Sequence, residues 1–330
     1  MPMRIAINGF GRVGRYLARL LAKDKSIQLV AVNDIMSIDE ATHLLRYDSV
    51  HGPFQAVTSY DSDRFLLNDS QVRYIRQQPS EWDWKALNVD VVVESTGIFT
   101  TREYTEHHLQ RGATKVVIAA PADDADITVV MGVNHNSIKD HHAIISNASC
   151  TTNCLALPIQ HIEHDFGIIH GSMTTIHPYT LRQRILDGSH KDLRRARACA
   201  MNIVPTPVGA HKTVARVIPS LKGKLHGISY RVPTANSALI DLVCELKKPT
   251  TTDELRAILI KGADDCLGYC KNPLVSSDYT GTTFGSIVDE ELTLITDETQ
   301  LRLVAWYDNE ASFCNQLLRL LHTLSFHMKS

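Results

Sequence analysis

The chain is expected to fold as two domains of different class. The first is an α/β domain on a doubly wound parallel sheet; the second is an α+β domain with a mixed or antiparallel sheet. Three observations carry this. A strand, a glycine-rich turn, a helix, a second strand and an acidic residue open the chain in close succession. Further buried-type strands ending in short turns continue to about residue 149. Beyond it strands come close together, with one helix interrupting them.

Met3 to Ile7 alternates and is partly β-branched, which reads as a strand. Gly9-Phe10-Gly11-Arg12-Val13-Gly14 follows, then a helical pattern with Val13, Leu17, Leu20 and Leu21 on one side. Ile27 to Val32 is a second buried strand, and Asp34 lies just past its end, 20 positions after Gly14. This order and spacing is the dinucleotide fingerprint of a Rossmann-type sheet. Gly9, Gly11 and Gly14 make the tight turn and let the backbone approach a pyrophosphate. The helix N-terminus faces the phosphates, and the Asp34 carboxylate bonds the adenosine ribose hydroxyls.

Strands are expected at Val89 to Val93, Lys115 to Ala119 and Ile127 to Met131. Glu94-Ser95-Thr96-Gly97 and Ala120-Pro121 are turns at strand ends, where an α/β sheet binds ligands. In the second half, Met173 to His177, Ile228 to Val232, Leu239 to Leu246 and Leu301 to Tyr307 read as strands. A helix from Thr252 to Ala263 is capped by Thr251 or Thr252, with Asp253 and Glu254 in its first turn. Phe313 to Met328 carries Leu317, Leu320, Leu321 and Leu324 at helical spacing and needs a groove.

The stretch Ser146-Asn147-Ala148-Ser149-Cys150-Thr151-Thr152-Asn153-Cys154 follows an apolar run and precedes a mostly apolar helical pattern. A cysteine at a helix start sits beside backbone N–H groups and the positive end of the helix dipole, a setting that favours thiolate. Ser149, Thr151 and Thr152 offer hydroxyls for capping or for an anion. The plainer reading is a capped helix with a small buried cysteine.

Bulk properties narrow the field. At 330 residues the chain has room for roughly two domains. Net charge is -2, so no global field favours nucleic acid or a membrane surface. No apolar run approaches membrane-spanning length. Seven cysteines, an odd count in a long chain, do not read as a disulfide framework and point to a reducing, cytoplasmic setting. Cys150 and Cys154 do not match zinc spacings and no second pair completes a ligand set, so no metal is expected.

A cysteine nucleophile needs a base, and His177 stands at the end of a predicted strand; a lone histidine there is more commonly structural. A dinucleotide site beside a polarised cysteine fits aldehyde oxidation through a covalent thiohemiacetal. The arginine-rich run from Arg182 to Arg197 reads as a solvated face or as anion recognition, since guanidinium forks fit phosphate. It lacks the interleaved aromatics and motif of a nucleic-acid surface.

Asn8-Gly9-Phe10-Gly11-Arg12-Val13-Gly14-Arg15, the Ser146–Cys154 stretch, Arg231-Val232-Pro233-Thr234 and Trp306-Tyr307-Asp308-Asn309-Glu310 resemble the glyceraldehyde-3-phosphate dehydrogenase family, in order and over essentially the whole chain. The resemblance implies an NAD-dependent, phosphorylating aldehyde dehydrogenase of glycolysis and gluconeogenesis, acting on a small phosphorylated aldehyde and inorganic phosphate. It implies Cys150 as nucleophile and His177 as its base. Arg12 and Val13 would meet the pyrophosphate, Asp34 the ribose and Thr96 the adenine side; Asn309 would hold the nicotinamide carboxamide. Thr180 and Arg231 would grip the substrate phosphate, and Ser149, Thr151, Arg195 and Gly209 would surround inorganic phosphate. It further implies a homotetramer with a cofactor domain over residues 1–149, a catalytic domain over 150–312, and a last helix, 313–330, packing back on the cofactor domain.

The chain departs from the family pattern in places. Val208 stands where a threonine is usual, removing a phosphate hydrogen bond of about 0.5–1.5 kcal/mol. Gly188-Ser189 replaces the Leu-Pro of strictly NAD-dependent members, whereas Asp34 opposes a 2′-phosphate; NAD is expected to be preferred, with some NADP use. Ala311-Ser312-Phe313-Cys314 replaces the usual aromatic-Gly-Tyr-Ser, and Ala119 lacks a hydroxyl often found there. Val208 and the short segment Ser277 to Asp289 lean toward an alternative, erythrose-4-phosphate dehydrogenase, in which water resolves the thioester. Tyr179-Thr180 and Arg231 lean toward the triose enzyme.

Overall fold

A computed structural model describes residues 1–328; residues 329 and 330, which the expected terminal helix includes, lie outside the described residues. The chain divides into two compact units, residues 1–149 with the chain from Cys314 onward, and Cys150–Phe313.

In chain order the first unit contains β1 (Met3–Asn8), α1 (Arg12–Leu21), β2 (Ile27–Asn33), α2 (Ile38–Arg46), β3 (Val57–Tyr60), β4 (Arg64–Leu67), β5 (Ser70–Ile75), β6 (Val91–Glu94), α3 (Arg102–Gln110), β7 (Lys115–Ile118), β8 (Ile127–Thr128) and β9 (Ile144–Ser146). One nine-stranded sheet runs β3-β4-β5-β2-β1-β6-β7-β9-β8. Its pairs are parallel except β3–β4 and β4–β5, an antiparallel meander that the expected all-parallel sheet lacks. That meander is half exposed and carries Asp61, Asp63, Arg64 and Arg73, so no apolar run marked it in advance. The central strands are mostly apolar: Val91, Val92 and Val93 of β6 are fully buried, as expected of a parallel strand covered on both faces. The strand expected from Ile127 to Met131 stops at Thr128, because Asn134 donates to Thr128 O and accepts from Val130 N, turning the chain.

The second unit holds α4 (Cys150–Asp165), β10 (Ile168–Pro178), β11 (Val204–Pro207), α5 (Ala210–Val217), β12 (Leu225–Val232), β13 (Ala238–Leu246), α6 (Thr252–Lys261), β14 (Leu267–Cys270), β15 (Ser286–Asp289), β16 (Leu294–Thr296) and β17 (Gln300–Tyr307). Its sheet runs β11-β12-β10-β13-β17-β15-β14, with β16 beside β17, and mixes parallel and antiparallel pairs. The first turn of α6 forms a reciprocal cap, Thr251 Oγ1 accepting from Glu254 N and Glu254 from Thr251 N. Helix α4 is buried from Thr151 to Ile159, which fits the unbroken apolar run Cys154–Ile159, with Thr151, Thr152 and Asn153 buried ahead of it. Helix α7 (Ala311–His327) starts in this unit. From Cys314 onward it belongs to the first, where Gln316 Nε2 donates to Met131 O and His322 pairs with Asp24.

Candidate active site

In the first unit, the glycine turn connects β1 to α1. Gly9 has φ +93°, the left-handed region, and a Cβ there would lie 2.5 Å from Thr96 N. A Cβ on Gly14 would lie 2.3 Å from Gly9 O, whereas above Gly11 nothing stands within 4 Å. Two glycines therefore let backbone segments touch, and the third leaves open space at the start of α1, as a pyrophosphate seat requires. Asp34, half-buried at the end of β2, accepts from Phe10 N at 2.5 Å and from Met36 N at 2.9 Å, tying the acid to the turn. Arg12 pairs with Asp48 at 2.5 Å. Burial pushes that carboxyl up, but His51 N–H, Arg12 and Val50 N–H outweigh it and hold Asp48 at about 2. Val13 is half-buried in the first turn of α1, and Thr96 lies in the turn after β6 with its N–H and hydroxyl on Glu94. The turn, Asp34 and Thr96 fit a dinucleotide.

In the second unit, Cys150 is the first residue of α4 and half-buried. The residue two before it, Ala148, is buried with φ 58°, a strained setting for a side-chain-bearing residue. His177 stands near the end of β10 and its Nε2 is 3.7 Å from Cys150 Sγ. The parallel register of β10 and β12 sets His177 beside Arg231, and Arg231 Nη1 lies 2.5 Å from His177 Nδ1 and 3.0 Å from Pro178 O.

The electrostatics correct one expectation. A helix start was expected to favour thiolate, but burial pushes the Cys150 thiol up. Its effect exceeds the opposing pull of Arg231, Thr151 and the backbone N–H groups. Burial first, then the charge of Arg231, hold His177 down to about 3. Unaided, the pair rests as thiol and neutral imidazole.

The remaining candidates divide. Arg195 directs Nε and Nη2 onto Thr206 Oγ1 at 3.0 and 2.6 Å, and Gly209 precedes α5 with open space around it. Thr180 is half-buried after β10, its hydroxyl accepting from Arg182 N at 3.4 Å. Thr151 is buried, with its hydroxyl on Tyr307 Oη at 2.8 Å; Ser149 is half-buried at the end of the first unit. Asn309 Oδ1 accepts from Ser237 N at 3.2 Å.

Sequence reasoning missed Tyr307, whose hydroxyl joins Thr175 to Thr151, the residue after Cys150, and Thr206. It also missed Asp308, fully buried, whose carboxylate accepts from Asn236, Gly281 N, Glu310 N and Ala311 N. Tyr307 and Asp308 lie inside the quoted Trp306–Glu310 motif, so their flanking position was the available signal. Among the described residues no group of three or more His, Cys, Asp or Glu could hold a metal ion, and no helix is long and apolar enough to cross a membrane.

Two family models match the chain: glyceraldehyde 3-phosphate dehydrogenase, NAD binding domain, over residues 3–102, and glyceraldehyde 3-phosphate dehydrogenase, C-terminal domain, over residues 149–309. The glyceraldehyde-3-phosphate dehydrogenase of Geobacillus stearothermophilus is 47% identical over 327 residues, covering 97% of each chain. Glyceraldehyde-3-phosphate dehydrogenase 2 of Trichormus variabilis is 48% identical over 329 residues, 96% of this chain and 97% of its own. Glyceraldehyde-3-phosphate dehydrogenase 1 of Bacillus subtilis is 45% identical over 326 residues, 97% of each.

Proposed function

Because the chain belongs to the glyceraldehyde-3-phosphate dehydrogenase family, we propose that it oxidises glyceraldehyde 3-phosphate, with NAD and inorganic phosphate, to 1,3-bisphosphoglycerate. The observation that carries this reading is the Cys150 Sγ–His177 Nε2 approach of 3.7 Å with Arg231 beside the imidazole. Cys150 Sγ bonds to the aldehyde carbon as His177 Nε2 takes the thiol proton and passes it to the carbonyl oxygen, giving a thiohemiacetal and leaving the imidazole neutral again. His177 next takes the proton of the thiohemiacetal hydroxyl as the carbon is oxidised to a thioester. Gly9–Gly14, Asp34 and Thr96 would hold NAD, which would supply the hydride acceptor, and Asn309 would be the partner for its carboxamide. Arg231 and Thr180 grip the substrate phosphate. Arg195, Gly209, Ser149 and Thr151 surround the inorganic phosphate, which attacks the thioester carbon; the carbon–sulfur bond breaks and Cys150 takes back the proton held by His177.

All three relatives carry the triose-phosphate name, so the tetrose reading is not favoured. Initial rates with the triose and tetrose phosphates, each with and without inorganic phosphate, test the choice. Strong phosphate stimulation with the triose substrate is expected. A preference for the tetrose that ignores phosphate would overturn the assignment. Cys150→Ala should lower kcat by about 10⁴-fold or more while NAD still binds.

We further propose a homotetramer in a reducing, cytoplasmic setting. The latter fits seven free thiols. The former fits an apolar segment in which Leu181, Ile185, Leu186, Leu193, Met201 and Ile203 are each at least 69% exposed, more than a lone subunit normally leaves in water. Light scattering is the check, a monomeric mass the contrary result.

A further inference from the structure

The first unit buries a titratable pair for which the proposed chemistry has no use. His108 on α3 is 0% exposed and Glu94 at the end of β6 is 1% exposed, and His108 Nε2 lies 3.1 Å from Glu94 Oε2. Fully buried Trp84 donates its indole N–H to His108 Nδ1 at 3.0 Å. An indole nitrogen only donates, so Nδ1 is bare and the ring proton sits on Nε2, aimed at Glu94. Trp82 stacks on the imidazole at 4.1 Å and 8°, which fixes the ring plane. The direction of every hydrogen bond in the row is thus set from Trp84 outward.

Glu94 receives that row at one oxygen and divides it. Oε2 also accepts from Asn8 Nδ2 at 2.5 Å, which orients the Asn8 amide so that its Oδ1 accepts from Asn33 Nδ2 at 2.7 Å. Asn8 is the last residue of β1, immediately before Gly9. Oε1 accepts both the N–H of Thr96, at 2.8 Å, and its hydroxyl. The Thr96 backbone is the surface against which Gly9 packs so closely that no Cβ fits. One buried carboxylate therefore joins the start of the glycine turn to the loop after β6.

We propose that Trp84, His108 and Glu94 are positioning residues that set affinity for the adenosine half of the dinucleotide. They do so by fixing the spacing between the Gly9 turn and Thr96. The inference rests on reading those two segments as the cofactor side. A carboxylate with four donors is held in one orientation; with a donor removed it reorients, and the turn and loop shift with it. All three belong to the unit that carries the glycine turn, not to the one that carries Cys150 and His177, so the effect falls on cofactor binding rather than on turnover.

The test uses the full chain, with Trp84→Phe and His108→Phe beside the wild type. ADP-ribose and NAD affinities are read by calorimetry, cofactor KM and kcat by initial rates, and the His108 tautomer by ¹⁵N NMR. Wild-type His108 should show a single Nε2–H tautomer. Trp84→Phe should give a tautomer mixture and about 3-fold weaker ADP-ribose binding. His108→Phe should weaken it about 10-fold and raise cofactor KM in parallel, with kcat within about 2-fold. A wild type that binds no ADP-ribose would overturn the cofactor-side reading itself. Wild-type binding matched by both variants would overturn the positioning role alone. So would a fall in kcat with unchanged cofactor KM. Should His108→Phe fail to fold, Trp84→Phe decides: a tautomer mixture at unchanged affinity overturns the proposal.

Discussion

The guanidinium of Arg231 donates to His177 Nδ1 at 2.5 Å, the ring nitrogen turned away from the thiol. Its proton then lies on Nε2, facing Cys150 Sγ. For Nε2 to accept the thiol proton, Nδ1 must carry a proton instead and donate to Pro178 O, 2.9 Å away, with Arg231 drawn off. Burial and Arg231 together hold His177 to about 3. Arg231→Leu removes the positive charge, so the imidazole becomes easier to protonate and the acid limb of kcat/KM moves to higher pH, by about one unit. Profiles are compared on an unphosphorylated aldehyde, so that loss of the phosphate grip does not mask the shift. An unmoved limb would show that Arg231 does not govern the base.

The same depression appears in stability. Between about pH 6.5, where an unfolded histidine titrates, and about 3, the unfolded chain binds a proton at residue 177 that the folded chain refuses. Stability from this site is therefore complete above that window and declines as pH falls through it, by up to about 1.4 kcal/mol per unit. His177→Asn should flatten that share of the slope in denaturant unfolding at pH 4 to 7. Equal slopes would mean the ring charges in the fold without penalty.

Val208 stands next to Gly209, at the open start of α5, without a hydroxyl to offer an anion. Val208→Thr should lower the KM for inorganic phosphate by about 2–10-fold, the worth of one hydrogen bond. The KM for the aldehyde should stay where it is. If both constants move together, the side chain serves the substrate phosphate and the two anion seats have been exchanged.

Legibility followed the range of the physical signal. The strand–turn–helix at Met3–Leu21 and the acid at its fixed spacing are local features, and the structure ties them by Phe10 N to Asp34. His177 was readable as a strand-end histidine, but its neighbour Arg231 comes from the register of two strands 54 residues apart, which no local pattern encodes. The helix-start argument for Cys150 counted the dipole but not the burial that outweighs it, because burial depends on the whole unit. The Thr151–Tyr307 hydroxyl pair was hidden for the same reason, since Thr151 read as a helix cap or an anion ligand.

Ser312 explains part of the altered sequence after Glu310. Its hydroxyl accepts from Asp308 N at 2.9 Å, while Asp308 accepts from Glu310 N and Ala311 N, so the two side chains close the start of α7 reciprocally. Between them lies Asn309. Ser312→Gly removes a buried hydrogen bond and puts glycine into a helix, costing about 1–2 kcal/mol in thermal or denaturant unfolding. Cofactor KM should rise with it, because Asn309 loses one wall of its support. A destabilised variant with unchanged cofactor KM would separate the cap from Asn309.

Asp34 does two things at once, and a single substitution separates them. One oxygen accepts from Phe10 N in the glycine turn, the other from Met36 N. The charge itself is what a 2′-phosphate would meet. Asp34→Asn keeps an acceptor for Phe10 N but deletes the charge, so the turn persists while repulsion of NADP falls. NADP kcat/KM should rise by about 10-fold and that for NAD should fall, since a neutral amide holds the ribose hydroxyls less strongly than a carboxylate. Asp34→Ala deletes both functions and should lose NAD without a comparable gain in NADP, because the unanchored turn binds either pyrophosphate poorly. If Asn and Ala raise NADP use equally, the carboxylate acts by charge alone, and its bond to Phe10 contributes nothing to the phosphate seat.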